Sequence, residues 1–285
     1  MMSLFRRAAR PARAASRAPT PARAASRAGG LLALVMLSAS CSSDASSSAA
    51  ADLGPDTPVV GACRVLTAAD VSAATNATPT VGCRSAHTSV TIGVGAFPSW
   101  RITSTNLTSG ALGDLALQRC TTMWQRTVGG DAAAQHTTVV GLAFFLPDSE
   151  QLGRGARWFR CDLVIGGRDG MALADLPADV QGLLAGPLPD SLRACRTAPD
   201  FTRGRQVSCT RPHLLRAIGV APLPGRSTYP GEQTLQRQSS EGCLPVSKRW
   251  LHGRIGAGTA VQWPDRTGWT LLHDRSAICW AVTVS

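Results

Sequence analysis

Eight cysteines in two sets of four constrain this chain more than any other feature. The first set is Cys63, Cys83, Cys120 and Cys161, and the second is Cys195, Cys209, Cys243 and Cys279. Their spacings are 20, 37 and 41 residues against 14, 34 and 36, and a ninth cysteine, Cys41, stands apart. Around the second cysteine of each set the chain repeats itself. VGCRSAHTSVTIGVG at 81–95 returns as VSCTRPHLLRAIGVA at 207–221, with Val, Cys, His, Ile, Gly and Val in register. Each half then carries LQR near its third cysteine, an aromatic–Pro region (FFLPD at 144–148, QWPD at 262–265), and an Arg–x3–Cys close (Arg157 to Cys161, Arg275 to Cys279). Repeats of this length are whole domains rather than solenoid units. The expectation is a tandem duplication, with a first domain over 61–166, a linker over 167–190 and a second domain over 191–285.

The leader explains both the odd cysteine and the charge. The net charge of +11 suggests nucleic acid or a membrane surface until it is located. Seven arginines lie before Cys41, and from Cys41 onward 22 basic residues face 18 acidic ones. No nucleic-acid partner is therefore expected. An Arg-rich start, a short apolar run GLLALVML at 30–37 and small residues before Cys41 form an export signal over 1–40. The run is far too short to span a bilayer. LSASC at 37–41 is close to a lipobox, with Ser38 where Leu is usual, so Cys41 is the expected lipidation site. The polar stretch 41–60 reads as a flexible tether. The expected location is the extracytoplasmic face of the cell membrane, where the eight remaining cysteines are oxidised.

Periodicity supplies an α+β reading: two similar small domains, each an antiparallel sheet with one packed helix and two disulfides. SVTIGVG alternates, placing Val90, Ile92 and Val94 on one face of a half-buried strand. Leu112, Leu115, Ala116, Cys120, Met123 and Trp124 mark an amphipathic helix over 111–126. TLQRQSSEGC is its shorter counterpart, ended by Pro245. TTVVGLAFFLP, ARWFRCDLVI, TAVQWP and AICWAVTV read as strands, and the linker as holding one short helix. Each set permits three pairings, and the expected one, 63–83 with 120–161 and 195–209 with 243–279, would staple entry segment to strand and helix to sheet. Each bridge contributes roughly 3–4 kcal/mol by loop entropy.

These residues resemble the septum-formation-related domain of actinobacterial membrane proteins and lipoproteins. The resemblance rests on VSCTRPH at 207–213, Tyr229–Gly231, Cys243, Pro264, Trp269, Asp274-Arg275 and Cys279, and extends more loosely over 61–166. There Leu152 takes the Trp place and Ala156-Arg157 replaces Asp-Arg. The family often has Glu three residues after the His; here those places hold Val90 and Arg216. The resemblance implies a cell-envelope location, a link to division or wall growth, and no established enzymatic activity.

The candidate contact residues are His87, His213, Arg157, Arg275, Trp263 and Trp269. Cys–x3–His can be half a zinc site, but no CxxC or HxxxH accompanies it and an oxidised cysteine is neither ligand nor nucleophile. The histidines are read first as loop caps beside a bridge and second as ligand contacts. Arg157 and Arg275 are read as structural, packing on a Trp, or as anion contacts, with Asp274 orienting Arg275. Trp263 and Trp269, with Trp100 in a comparable loop, are read as core or as sugar-stacking platforms. His273-Asp274 is a weak couple, because neighbours in a strand point to opposite faces. No GxSxG, phosphate loop or paired acidic motif is present. The expectation is a non-enzymatic, lipid-anchored interaction module with envelope or division proteins as partners and no cofactor or metal. A binder of glycan or another small envelope ligand is the alternative, and a hydrolase is less favoured.

Overall fold

The structure, a computed structural model, describes residues 53–98, 110–168, 171–201, 203–252 and 258–283. Cys41, the leader, most of the tether and Trp100 lie outside them. The first half contains β1 (Cys63–Arg64), α1 (Ala68–Val71), β2 (Ser89–Ala96), α2 (Ala111–Val128), α3 (Ala132–His136), β3 (Val140–Phe145), α4 (Ser149–Gly153) and β4 (Trp158–Ile165). The second contains β5 (Ala194–Arg196), β6 (Gln206–Ser208), β7 (Leu215–Pro222), α5 (Glu232–Trp250), β8 (Thr259–Gln262), α6 (Arg266–Thr270) and β9 (Ser276–Val282). All strand pairs are antiparallel, in the orders β1-β2-β4-β3 and β6-β5-β7-β9-β8.

In both halves the long strand carries an irregularity opposite the last cysteine. The register shifts between Thr91 and Gly93, which faces Cys161, and between Ala217 and Gly219, which faces Cys279. A bulge adds a residue and bends the strand. Glycine is required there because the helix lies directly on it: a Cβ on Gly93 would fall 2.3 Å from Met123 Sδ, and one on Gly219 3.0 Å from Val246 Cγ1. Each helix buries one side at four-residue steps, Leu112, Ala116 and Cys120 in α2 and Leu235, Ser239 and Cys243 in α5. Bridges Cys120–Cys161 and Cys243–Cys279 fasten helix to sheet, while Cys63–Cys83 and Cys195–Cys209 fasten the entry strand to the turn before each histidine.

Helix α5 and strand β2 differ from the sequence expectation. Helix α5 does not stop at Pro245 but continues through it to Trp250. Pro245 sits on the exposed side with Glu241, so water can reach the carbonyl that proline leaves without a donor. Strand β2 is not half-buried with a wet polar face, since Ser89 and Thr91 are 0% and 1% exposed. Their hydroxyls donate to Asp162 Oδ2 and Oδ1 of β4, both at 2.9 Å. Arg160 Nη2 lies 3.1 Å from Asp162 Oδ2 and donates to Asn76 Oδ1 at 3.0 Å. Arg64 Nη1 donates to Thr91 Oγ1 at 2.9 Å. The entry segment around α1 covers this network, and the hydrogen bonds offset the desolvation of its charges.

On the same face of the second sheet Leu215, Ala217 and Trp280 stand where the first has Ser89, Thr91 and Asp162, while Arg196 stays buried at the place of Arg64, donating to the Phe201 carbonyl at 3.0 Å. Leu215, Ala217 and Trp280 are buried against Val128, Val139, Leu163, Leu176 and Leu184, so one core serves both sheets. Residues 171–193 line this seam, with turns at 181–184 in place of the expected short helix. Gly182 N and Leu184 N donate to the Thr127 and Val128 carbonyls at 2.8 Å, and Ala194 N donates to the Thr137 carbonyl at 2.8 Å. All described residues belong to one compact unit.

Candidate functional site

The repeated histidines occupy equivalent buried turns. His87 Nδ1 is 2.8 Å from the Ser85 carbonyl oxygen and His213 Nδ1 2.7 Å from the Arg211 carbonyl oxygen. A carbonyl only accepts, so Nδ1 carries the proton in each ring. The rings are 3% and 7% exposed. Immediately after each, a backbone N–H donates to the entry strand: Thr88 to the Arg64 carbonyl at 3.0 Å and Leu214 to the Arg196 carbonyl at 2.8 Å. This is the geometry of a loop cap. His213 also lies with Cys195 and Cys209 within ligand distance of one another. The two sulfurs are bonded to each other, which leaves no thiolate for a metal.

Arg275 is built into the second half. Nη1 donates to the Trp269 and Asp274 carbonyls at 2.7 and 2.8 Å, Nη2 donates to the Arg226 carbonyl at 2.9 Å, and the guanidinium stands 3.8 Å over the Trp269 ring. Trp269 is 0% exposed, and its indole N–H is shared between the Arg226 and Thr228 carbonyls. Trp269 is therefore core, which corrects its reading as a sugar platform: no ligand reaches the ring. Arg157 is half-buried, and its carbonyl accepts from Phe97 N just as the Arg275 carbonyl accepts from Leu223 N, both at 2.7 Å. Trp263 differs, being half-buried with its indole N–H 2.6 Å from Glu232 Oε2. Glu232 also accepts from the Tyr229 hydroxyl, and these two bonds hold its carboxyl below the usual range. Burial, then the Glu232 contact, pushes the Tyr229 phenol up to about 12.

Trp263 opens onto a cleft of about 490 Å³ between the two halves. Its first-half wall comes from α2, α3 and β3, its second-half wall from β8, α6 and β9. His136, at the end of α3, places Nε2 3.5 Å from Asp274 Oδ1 across this cleft. Burial raises the Asp274 carboxyl above its ordinary range, opposed by His136 and by the Ser276 N–H bond. Asp274 thus does not orient Arg275 through its carboxylate; its carbonyl accepts from the guanidinium while its side chain faces the other half. His273, in a turn at φ 54°, is exposed. Sequence reasoning did not single out His136, because its partner Asp274 lies in the other repeat, nor Gln125 and Gln135, which line the cleft only once the halves are docked.

Against known families, residues 60–281 match the model described as septum formation. The chain belongs to the septum-formation family. One continuous match runs through both sheets, so the family unit contains both four-cysteine sets, both buried histidines and the cleft. No curated protein and no solved structure matches the chain. Among its described residues, this septum-formation family member has no helix long and apolar enough to cross a membrane.

Proposed function

We propose that this protein is a lipid-anchored, non-enzymatic module on the outer face of the cell membrane that recruits an envelope or division protein where the septum forms. The observation that carries the reading is family membership combined with four disulfides, a cysteine usage that fits an oxidising compartment. Cys41 is the lipidated residue and 41–60 the tether. The two halves arose by duplication, a reading supported by their common strand order, bulge, helix and bridge positions. The buried, carbonyl-bonded His87 and His213 favour a structural over a catalytic role.

In-cell cross-linking tests this. The wild type is compared with Cys41→Ala, and both are assayed for incorporation of a fatty-acid analogue. The proposal expects division or wall-synthesis proteins with the wild type and their loss, together with the label, in the variant. Equal membrane retention and unlabelled protein in both would overturn the anchor. Turnover of an ester, amide or glycan substrate, abolished by His136→Ala, would overturn the non-enzymatic reading.

A further inference from the structure

We infer that the cleft between the two sheets is a saccharide-binding site, whichever protein the module recruits. Its volume of about 490 Å³ falls within the range of about 300–1,000 Å³ typical of small-ligand sites. Trp124 and Gln125 from α2 and His136 from α3 face Gln262, Trp263 and Asp274 of the second half across it.

The chemistry of this lining selects the ligand. Two indoles supply flat apolar surfaces of the kind that cover the C–H face of a pyranose ring. The amides of Gln125 and Gln262 each offer donors and an acceptor, matching a rim of hydroxyl groups that both give and take hydrogen bonds. The lining sets the single guanidinium of Arg168 beside the carboxyls of Asp265 and Asp274, so it offers no excess of positive charge, which disfavours a polyphosphate or nucleic acid. Trp263 is held from behind by Glu232, so its ring is positioned before a ligand arrives. The Trp124 indole N–H is shielded from bulk water and has no hydrogen-bond partner among the described residues. Because both halves contribute, a ligand here also bridges the two sheets.

The test follows the Trp124 indole N–H signal by NMR, with tryptophan fluorescence alongside, in the disulfide-intact chain carrying Cys41→Ala. The probes are glucose, galactose and N-acetylglucosamine, as monomers and as oligomers of the same sugars. The inference expects a saturable shift with at least one of them, weakened about tenfold, or about 1.4 kcal/mol, by Trp263→Ala and by Gln125→Ala. Gln125 is exposed, so its variant remains decisive if Trp263→Ala fails to fold. Response to monomers identifies a free-sugar site, and response to oligomers alone a wall-glycan site. No shift with any saccharide overturns the inference, as does a shift that both variants leave unchanged. A shift produced only by an extended peptide, centred on the free edge strands β3 and β8, would overturn it in favour of strand addition.

Discussion

The two halves set entry strand, bulged strand, closing strand and edge strand in the same order, yet treat the face opposite their helix in contrary ways. In the first half that face holds Arg64, Thr91, Arg160 and Asp162 beneath the entry segment. In the second, the strand positions paired in the same way carry Ala217 and Trp280, which are buried against the first half. One scaffold thus supports a buried ion pair where a loop covers it and, where a neighbouring unit does, an apolar centre of Leu215, Ala217 and Trp280 that keeps only Arg196 at the place of Arg64. The lesson is physical. A buried ion pair is tolerated only when every charge finds a partner, whereas a surface meeting another preformed unit is satisfied by shape and area alone.

Removing the centre of the polar network gives the largest expected effect. Asp162→Ala leaves Arg160 buried without its counter-ion and should cost about 3–5 kcal/mol, read by denaturant unfolding. A loss below about 1 kcal/mol would mean that solvent enters this face. The disulfides come next. Replacing Cys120 and Cys161 together by Ser opens a 41-residue separation and should cost about 3–4 kcal/mol. The same change at Cys195 and Cys209, separated by 14 residues, should cost up to about 1 kcal/mol less. Equal or reversed losses would break the assumption that both unfolded halves behave as plain chain. Third, Gly93→Ala and Gly219→Ala each press a methyl into the overlying helix and should each cost about 1–3 kcal/mol. A neutral result at one site would show that the helix sits differently there. The smallest effect concerns Asp274. Its carboxyl is raised by burial, so the folded chain holds that proton more tightly than the unfolded chain. The stability this brings is present below the unfolded value and is lost as pH rises through the folded one. Relative to Asp274→Asn, the wild type should therefore lose stability as pH climbs out of the ordinary carboxylate range. A relative gain over that window would contradict the burial argument.

The cysteine sets, the Gly-containing strands and the helix stripes were legible because each depends on local period or spacing. Strand β2 was misread because Ser89 and Thr91 look solvent-facing when β2 is taken alone. Set beside Arg160 and Asp162, also two residues apart on β4, they form a matched polar row, and that pairing was the available signal. The extension of α5 past Pro245 was missed because a proline rule carries no knowledge of which side faces water. His136 lay beyond reach for a different reason. Its role exists only because α3 packs across the seam opposite Asp274, and within the second repeat only the apolar character of Leu215, Ala217 and Trp280 hints at that docking. The two readings of Trp269, core or sugar platform, could not be separated for a similar reason, since an aromatic near Pro-Asp looks the same in sequence whether Arg275 covers its ring or a ligand does.

The central claim is that the halves act as one unit, since the seam and the cleft exist only while they are docked. Calorimetric unfolding of the disulfide-intact Cys41→Ala chain, with and without Trp280→Ala, tests it most directly. A single transition is expected in both, displaced as a whole to lower temperature by the substitution. Two separable transitions, with only one moved by Trp280→Ala, would contradict it and leave two independent domains on a string.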